Sequence, residues 1–309
     1  MTRRAPLTAA VAAAALAFAL PAAPAAADDI GWSVQPAGAA TRNHFVYELG
    51  PGEQVTDTVR VTNRAPTPMT FTVYGTDAYT TVDGGFDLLA AKDAPRDVGS
   101  WISLGARAYT VPGGRHLDIP FRLAVPTNAS PGDHAGGVIA SVVTPGTTAD
   151  GQQVTVDRRV AARVYLRVTG PTSPSVRAES VGLGYEDGTA TVTYQLRNDG
   201  NLRVTGLSRV RLTGPFGIPL ARTADADVPE LLPGATITVT ERVTGVAPAG
   251  RLTATVEVQP ATADGGLPPV ARSASVWAIP WLVLAAVAAI VAALVAYQLI
   301  RRRRRRAAA

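Results

Sequence analysis

The chain has 309 residues, a formal net charge of +5 and no cysteine. Without cysteine it can form neither disulfides nor thiolate metal sites. Eight of its 29 basic residues lie at the two ends, as Arg3, Arg4 and the arginines at 301–306, which leaves 21 basic against 24 acidic residues, about −3, between them. This balance argues against a nucleic-acid-binding protein, since such proteins carry basic patches.

The first residues have the pattern of a secretory signal peptide. Arg3 and Arg4 precede an apolar stretch at 7–20, and Pro21, Pro24 and a run of alanines at 25–27 follow it. Such an order of charge, apolar core and small residues predicts a signal peptide at 1–27 and a mature chain that starts at Asp28. The alternative is an N-terminal anchor that is not cleaved.

The C-terminal region predicts a single-pass membrane anchor. Residues 276–300 carry no charge and are long enough to cross about 30 Å of hydrocarbon. Aromatic residues lie near both ends of this span, and six arginines follow it at 301–306. Arginines resist translocation, so we expect residues 301–309 to be cytoplasmic and the chain before 276 to be extracellular. A sortase substrate has a similar layout, but LPPVA at 267–271 lacks the Thr-Gly pair at which a sortase cleaves.

Between these segments the pattern is that of β-strands. Apolar residues alternate with polar ones at 69–74, 160–169, 190–197 and 252–259. Alternation with a period of two buries one face of a strand and leaves the other in water. We therefore expect an all-β ectodomain of two immunoglobulin-like β-sandwiches, at 29–170 and 175–260, joined by GPTSP at 170–174. A stalk at 261–275 would connect the second sandwich to the membrane.

Few residues suggest catalysis. The histidines are His44, His116 and His134, and the chain has neither a G-x-S-x-G elbow nor an H-E-x-x-H motif. We therefore expect no enzymatic activity, no cofactor and no metal site. The alternative is an envelope enzyme or a metal-handling protein that uses these histidines.

The segment at 125–140 is the most informative. VPTNASPGDHAGGVIA contains a polar loop and then paired glycines at the start of an apolar strand. Glycine within a strand indicates a bulge or the close approach of another backbone. Either the loop only shapes the sandwich, or it forms a rim on which Asp133 and His134 face a ligand.

Six short motifs follow one another in the first domain: WSVQP at 32–36, FVYEL at 45–49 with Pro51-Gly52, VRVTN at 59–63, DGGF at 83–86, SWI at 100–102 and GGV at 136–138. In this order they resemble the peptidoglycan-binding domain of the WxL-interacting cell-surface proteins of Gram-positive bacteria. The resemblance departs at Asp133-His134, where the family has an apolar pair, and residues 175–260 do not match the domain that holds WxL partners. Frequent Ala, Arg and Gly with one Lys are typical of an actinobacterium.

The resemblance implies a non-catalytic scaffold at the cell surface. Its first sandwich would bind peptidoglycan, and its second could hold a protein partner. Aromatic and planar polar side chains bind sugars, and the first domain supplies both kinds: Tyr47, Tyr74, Phe86, Trp101, Asp83, Asn128, Asp133 and His134. Because binding groups concentrate on loops, we predict a glycan site at the rim of Asn128, Asp133 and His134, with Tyr47 and Trp101 as aromatic contacts.

Overall fold

The computed structural model describes residues 31–38, 42–148 and 150–307. The signal peptide expected at 1–27 lies outside the described residues. Within them the chain forms two immunoglobulin-like β-sandwiches, followed by one long apolar helix, as the alternation and the apolar C-terminal stretch predict.

The first sandwich is built from ten strands and one short helix. They are β1 (Trp32–Pro36), β2 (Phe45–Leu49), β3 (Gln54–Asn63), β4 (Met69–Thr80), β5 (Phe86–Leu88), α1 (Val98–Trp101), β6 (Ile102–Leu104), β7 (Ala108–Val111), β8 (His116–Ala124), β9 (Gly132–Thr147) and β10 (Gln153–Val168). One sheet has the order β1-β3-β8-β6 and the other β2-β10-β9-β4-β5, with β7 also paired to β4. All pairs are antiparallel except β2 with β10.

The second sandwich has nine strands. They are β11 (Val176–Glu186), β12 (Thr189–Asn198), β13 (Val204–Thr213), β14 (Pro219–Arg222), β15 (Ala226–Leu231), β16 (Thr236–Val243), β17 (Gly250–Thr262), β18 (Gly265–Gly266) and β19 (Val270–Ala278), with a short 3-10 turn at Pro215–Gly217. Its sheets have the orders β11-β12-β16 and β14-β13-β17-β18, and β15 and β19 pair with β13 and β17.

The alternation seen in the sequence places the core. Phe71 and Val73 of β4 are buried while Thr72 between them is exposed, and the same pattern along β17 buries Leu252, Ala254 and Val256. Each sandwich therefore has its own cluster of buried apolar side chains between its two sheets. Burial of this apolar surface is the main favourable term in folding.

A buried asparagine recurs at the same place in both sandwiches. The side-chain amide of Asn63, at the end of β3, donates to the carbonyls of Thr67 and Val111 at 2.8 and 3.0 Å. Asn198, at the end of β12, donates to Leu202 and Leu231 at 2.7 and 2.9 Å. Because β3 and β12 each lie between two antiparallel neighbours, the two sandwiches repeat one framework around these amides.

The end of the second sandwich differs from the sequence prediction. Residues 261–275, expected to be a stalk, include β18 and most of β19, and β19 pairs with β17 from Gly250↔Ala278 to Val258↔Val270. The prediction of a stalk is wrong, because the polar residues of β19 occupy the solvent face of a strand. The second sandwich therefore extends to Ala278 rather than to residue 260.

The apolar helix α2 (Trp281–Ala307) begins three residues after β19 ends. Residues 276–278 of the expected span belong to β19, but 20 uncharged and mostly apolar residues remain at 281–300, about 30 Å of helix. The stretch from Trp281 to Arg304 is long and apolar enough to cross a membrane, with a mean hydropathy of 2.5 in its most apolar window, and none of that window is buried. The structure is thus consistent with a single membrane anchor.

Candidate functional site

Asp133, one of the residues predicted to face a glycan, lies at the junction between the two sandwiches. Its carboxylate accepts hydrogen bonds from Arg167 Nε at 2.7 Å and Nη2 at 3.1 Å, and from the backbone N–H of Arg203 at 2.8 Å. Arg167 also pairs with Asp264 at 2.8 Å, and Arg203 pairs with Glu230 at 2.7 Å. Asp133 therefore connects a strand of the first sandwich to the second sandwich.

The prediction that Asp133 is an exposed loop residue is wrong. Its side chain is 4% exposed and belongs to β9. Burial alone would raise the pKa of this carboxyl, but the hydrogen bonds from Arg167 and the Arg203 backbone, with the charges of both arginines, hold it below its usual value. Asp133 therefore stays ionised and stabilises the junction.

The other two residues of the predicted rim, His134 and Asn128, have different surroundings. Nδ1 of His134 lies 2.7 Å from Oδ1 of Asp97, and Nε2 lies 2.9 Å from the Ser130 carbonyl oxygen. Burial lowers the pKa of His134, but the hydrogen bond and charge of Asp97 outweigh it, so the pKa is raised. Asn128 is exposed in the turn after β8. The expected rim therefore contains an exposed amide at Asn128 and a mostly buried imidazole at His134, whose partner Asp97 is 40% exposed.

The two predicted aromatic contacts are also largely occupied. The Tyr47 hydroxyl donates to Asp57 Oδ2 at 2.7 Å, and burial together with this carboxylate raises the pKa of Tyr47. Trp101 is partly buried against the core of the first sandwich, with its ring centroid 5.1 Å from that of His134. Both rings therefore pack within the sandwich, as large aromatics commonly do.

The three histidines have different surroundings. His44 packs edge-on against Tyr165, with ring centroids 5.4 Å apart, whereas His134 pairs with Asp97. His116 is exposed at the start of β8. Across residues 31–38, 42–148 and 150–307 no group of three or more His, Asp or Glu side chains could hold a metal ion.

A different region of the first sandwich forms a cleft, which we call the outer cleft. It lies on the face of the β4-β9-β10 sheet that points away from the core, under the segment at 89–97, and has a volume of about 460 Å³. Its polar lining comes from hydroxyl, carboxylate and guanidinium groups: Thr72, Tyr74, Asp93, Arg107, Ser141 and Asp157. Register places Thr72 directly opposite Ser141, and Val143 opposite Asp157, so adjacent strands supply these groups.

Asp77 holds the segment that covers the outer cleft. Its buried carboxylate accepts hydrogen bonds from the backbone N–H groups of Arg96, Asp97 and Gly99 at 2.6, 2.9 and 2.7 Å. Its own carbonyl accepts from the N–H of Leu89 at 3.0 Å. Both ends of the segment are thus attached to one residue of β4, which keeps the cleft at a fixed width.

Tyr74 has an unusual hydroxyl. The oxygen is shielded from solvent, yet it forms no hydrogen bond of ordinary geometry within the described part of the chain. Burial raises the pKa of Tyr74, and the hydrogen bond and charge of the nearby Arg159 guanidinium partly offset this. The hydroxyl therefore has at most a weak partner in Arg159, and an incompletely paired buried hydroxyl is costly.

A second cleft of about 410 Å³ adjoins the outer cleft at Asp157. Here the guanidinium of Arg163 lies 4.4 Å from the centroid of the Phe86 ring, and Arg159 donates to the carbonyl of Leu89 at 3.0 Å. Of the aromatics proposed to contact sugars, Tyr74 and Phe86 therefore line these two clefts, and Tyr47 lines another of about 390 Å³. The alternation of β4 already places Tyr74 on the wet face of its strand, which is the signal by which the sequence could have singled it out.

The paired glycines of β9 lie beside this site. A Cβ on Gly136 would come within 2.5 Å of the Thr76 carbonyl oxygen, so this position requires glycine. The sequence prediction of a close backbone approach is confirmed here. The pairing of β9 with β10 is continuous from residue 132 to residue 147. The paired glycines therefore do not form a β-bulge.

Comparison with known proteins gives only distant structural similarity. No protein-family model matches the chain. No curated protein matches it either. Among solved structures, a chain from a chaperone–tip adhesin complex of CFA/I fimbriae biogenesis matches with 11% identity over 81% of this chain and 99% of that one, at a TM-score of 0.39. The class 5 fimbrial chaperone CfaA matches with 10% identity over 80% and 100%, at 0.37.

The Pseudomonas aeruginosa chaperone CupB2 is a third such match, with 13% identity over 79% of this chain and 100% of that one, at a TM-score of 0.30. TM-scores of this size are too low to support an argument about function.

Proposed function

We propose that the chain is a non-catalytic, membrane-anchored surface protein whose first sandwich binds peptidoglycan in the outer cleft. The observation that carries the proposal is the lining of this cleft by polar groups of three paired strands, Thr72 of β4, Ser141 of β9 and Asp157 of β10. Sites built on strands hold their side chains more accurately than sites on loops.

The chemistry of the lining suits a wall polymer. Peptidoglycan offers hydroxyl and acetamido groups on its sugars, and carboxylate and amino groups on its peptides. The outer cleft has Thr72 and Ser141 for the former, and Arg107, Asp93 and Asp157 for the latter. Charged groups of both signs on one cleft favour such a mixed ligand over a purely anionic or purely apolar one.

The order of the two sandwiches and α2 along the chain favours a position of the outer cleft outside the membrane. The second sandwich separates the outer cleft from α2, and its strand β13 alone spans ten residues, about 33 Å. With α2 in the bilayer and the arginines at 301–306 on the cytoplasmic side, the cleft would face the cell wall. The resemblance of the first domain to the wall-binding domain of WxL-interacting proteins favours the same assignment.

Co-sedimentation of the detergent-solubilised full chain with purified sacculi tests this proposal. Tyr74→Phe removes one hydroxyl of the cleft, and Asp157→Asn removes one exposed charge. We expect both changes to weaken sedimentation. Tyr74→Phe should leave thermal stability nearly unchanged, because this hydroxyl makes no hydrogen bond of ordinary geometry.

The matched control is Tyr185→Phe in the second sandwich. The Tyr185 hydroxyl donates to the Val246 carbonyl at 2.9 Å, so its removal should lower stability by about 1 kcal/mol and leave sacculus binding intact. If Tyr74→Phe and Asp157→Asn both sediment like the unmodified chain, the outer cleft is not the binding site. If the unmodified chain does not sediment at all, peptidoglycan is not the ligand.

A further inference from the structure

Large apolar side chains are exposed at the end of the second sandwich from which α2 leaves. In the turn between β13 and β14 the ring of Phe216 is fully exposed, and Ile218 is 57% exposed. Neither packs into the core of this sandwich. A large apolar side chain at the tip of a turn needs a reason, because its burial elsewhere would be favourable.

This turn lies beside the start of the apolar helix. Thr213 pairs with Thr253 of β17, and β17 pairs with β19 up to Gly250↔Ala278. A Cβ on Gly214 would lie 3.5 Å from the Cβ of Ala249, which places the turn at the level where β19 ends. Two strand spacings separate the turn from β19, so Phe216 lies about 10 Å to the side of the point where α2 begins.

The connection to the helix leaves little distance between this end and a bilayer. Only Ile279 and Pro280 lie between β19 and α2. Trp277 and Trp281 flank them and are 71% and 70% exposed, beside a cleft of about 650 Å³ that also includes Pro248. Tryptophan concentrates at membrane interfaces, so this end of the sandwich lies at headgroup level once α2 crosses the membrane.

The backbone of Phe216 adds an independent observation. Its φ is +58°, in the left-handed region, and Gly217 follows with φ +76°. Glycine or asparagine occupies such a position at lower cost than a bulky aromatic residue. A fully exposed ring on an unfavourable backbone gains nothing from the described contacts of the chain, so its benefit must come from a partner.

We propose that Phe216 and Ile218 insert into the outer-leaflet interface of the same bilayer that α2 spans. The inference rests on the membrane anchor of the proposed function but not on peptidoglycan binding. The turn and α2 are then two attachment points about 10 Å apart, which fix the tilt of the second sandwich on the membrane. Glu186 and Asp187 lie at the same end, and Arg251 lies there opposite Trp277. Because the acidic residues outnumber this arginine, we expect the contact to depend on the apolar side chains and not on anionic lipid.

Site-specific fluorescence tests this proposal, and the absence of cysteine makes single labelling straightforward. The full chain is reconstituted in zwitterionic vesicles with a polarity-sensitive label at Ile218→Cys, which keeps Phe216. Asp150→Cys, in the turn between β9 and β10 at the far end of the first sandwich, is the aqueous control, and Val287→Cys in α2 is the membrane control. Nitroxide lipids then quench whichever labels reach the bilayer.

We expect a severalfold loss of emission at 218 and 287 and almost none at 150, at low and at high salt alike. Adding Phe216→Ser to Ile218→Cys should return the emission at 218 towards that at 150, with an unchanged melting temperature. Quenching at 287 without quenching at 218 would overturn the proposal while leaving the anchor intact. Shielding of 218 that grows with protein concentration in detergent would also overturn it, because a second copy would then cover the turn.

Discussion

Asp133→Ala gives the most direct measure of how firmly the two sandwiches are joined. The carboxylate is 4% exposed and receives two hydrogen bonds from Arg167 and one from the backbone of Arg203. Removing it leaves two guanidinium groups at the junction without their shared partner. A buried charge that loses its partner is costly, so this change should destabilise the chain far more than a surface substitution.

The magnitude follows from the exposure of the remaining groups. Breaking a buried ion pair from one side costs about 3–5 kcal/mol. Arg167 and Arg203 are 22% and 24% exposed and retain Asp264 and Glu230, so the low end, about 3 kcal/mol, is expected. In a protein of this size that corresponds to a fall in melting temperature of roughly 6–12 °C.

Thermal unfolding of the detergent-solubilised full chain at pH 7 is the assay. Asp264→Ala is the matched control, because Asp264 pairs with the same Arg167 but is 57% exposed, and an exposed pair contributes about 0–1 kcal/mol. The lowered pKa of Asp133 adds a pH signature: its contribution is present above the unfolded value near 3.9 and is lost as pH falls through the folded value. Equal melting temperatures for the two variants would refute the assignment of Asp133 to the junction.

Three further predictions concern other parts of the chain. Because the pKa of His134 is raised in the folded state, its pair with Asp97 contributes fully to the free energy of unfolding below about pH 6.5, and this contribution is lost as pH rises through the folded pKa. His134→Gln should therefore lower the melting temperature more at pH 5.5 than at pH 8.5. Gly136→Ala should destabilise the first sandwich by about 1–3 kcal/mol in denaturant titration, because its Cβ would meet the Thr76 carbonyl oxygen; a neutral result would show that the strands can separate. Truncation after residue 279 should release a folded, soluble ectodomain, whereas truncation after residue 275 should melt at a lower temperature because it removes the end of β19; equal melting would argue against the β17–β19 pairing.

The site was only partly predictable from the sequence. Tyr74 and Phe86 are among the aromatics proposed for sugar contact, and alternation already places Tyr74 on a wet strand face. At the predicted rim of Asn128, Asp133 and His134, only the expectation of an exposed Asp133 is wrong, because a polar pair after a Pro-Gly loop can be either exposed loop or strand. The sequence does not indicate that Asp77 holds the segment at 89–97, because the backbone N–H groups that it binds lie about 20 residues away.

The sequence also contains a weak internal echo, in which Pro51-Gly52 and Pro233-Gly234 each introduce a strand rich in Thr and Val. In the structure these two turns precede β3 and β16, which occupy different places in their sheets. The repeated feature is the buried amide of Asn63 and Asn198, each bonded to a carbonyl four residues ahead and to one across the sandwich. Short Pro-Gly turns are too common to show which strands of the two sandwiches are equivalent. That equivalence is defined by how the strands pair in the sheets.

By itself the sequence determined the features that depend on near neighbours in the chain. Strand faces follow from a period of two, and a helix of membrane length follows from about 20 consecutive apolar residues, so both are legible without partners. Tertiary structure alone decided which polar residues are available to a ligand. Asp133 meets Arg167 34 positions later and Arg203 70 positions later, and β19 is a strand only because β17 lies beside it. Burial and charge pairing are properties of groups brought together by folding, and no local pattern encodes them.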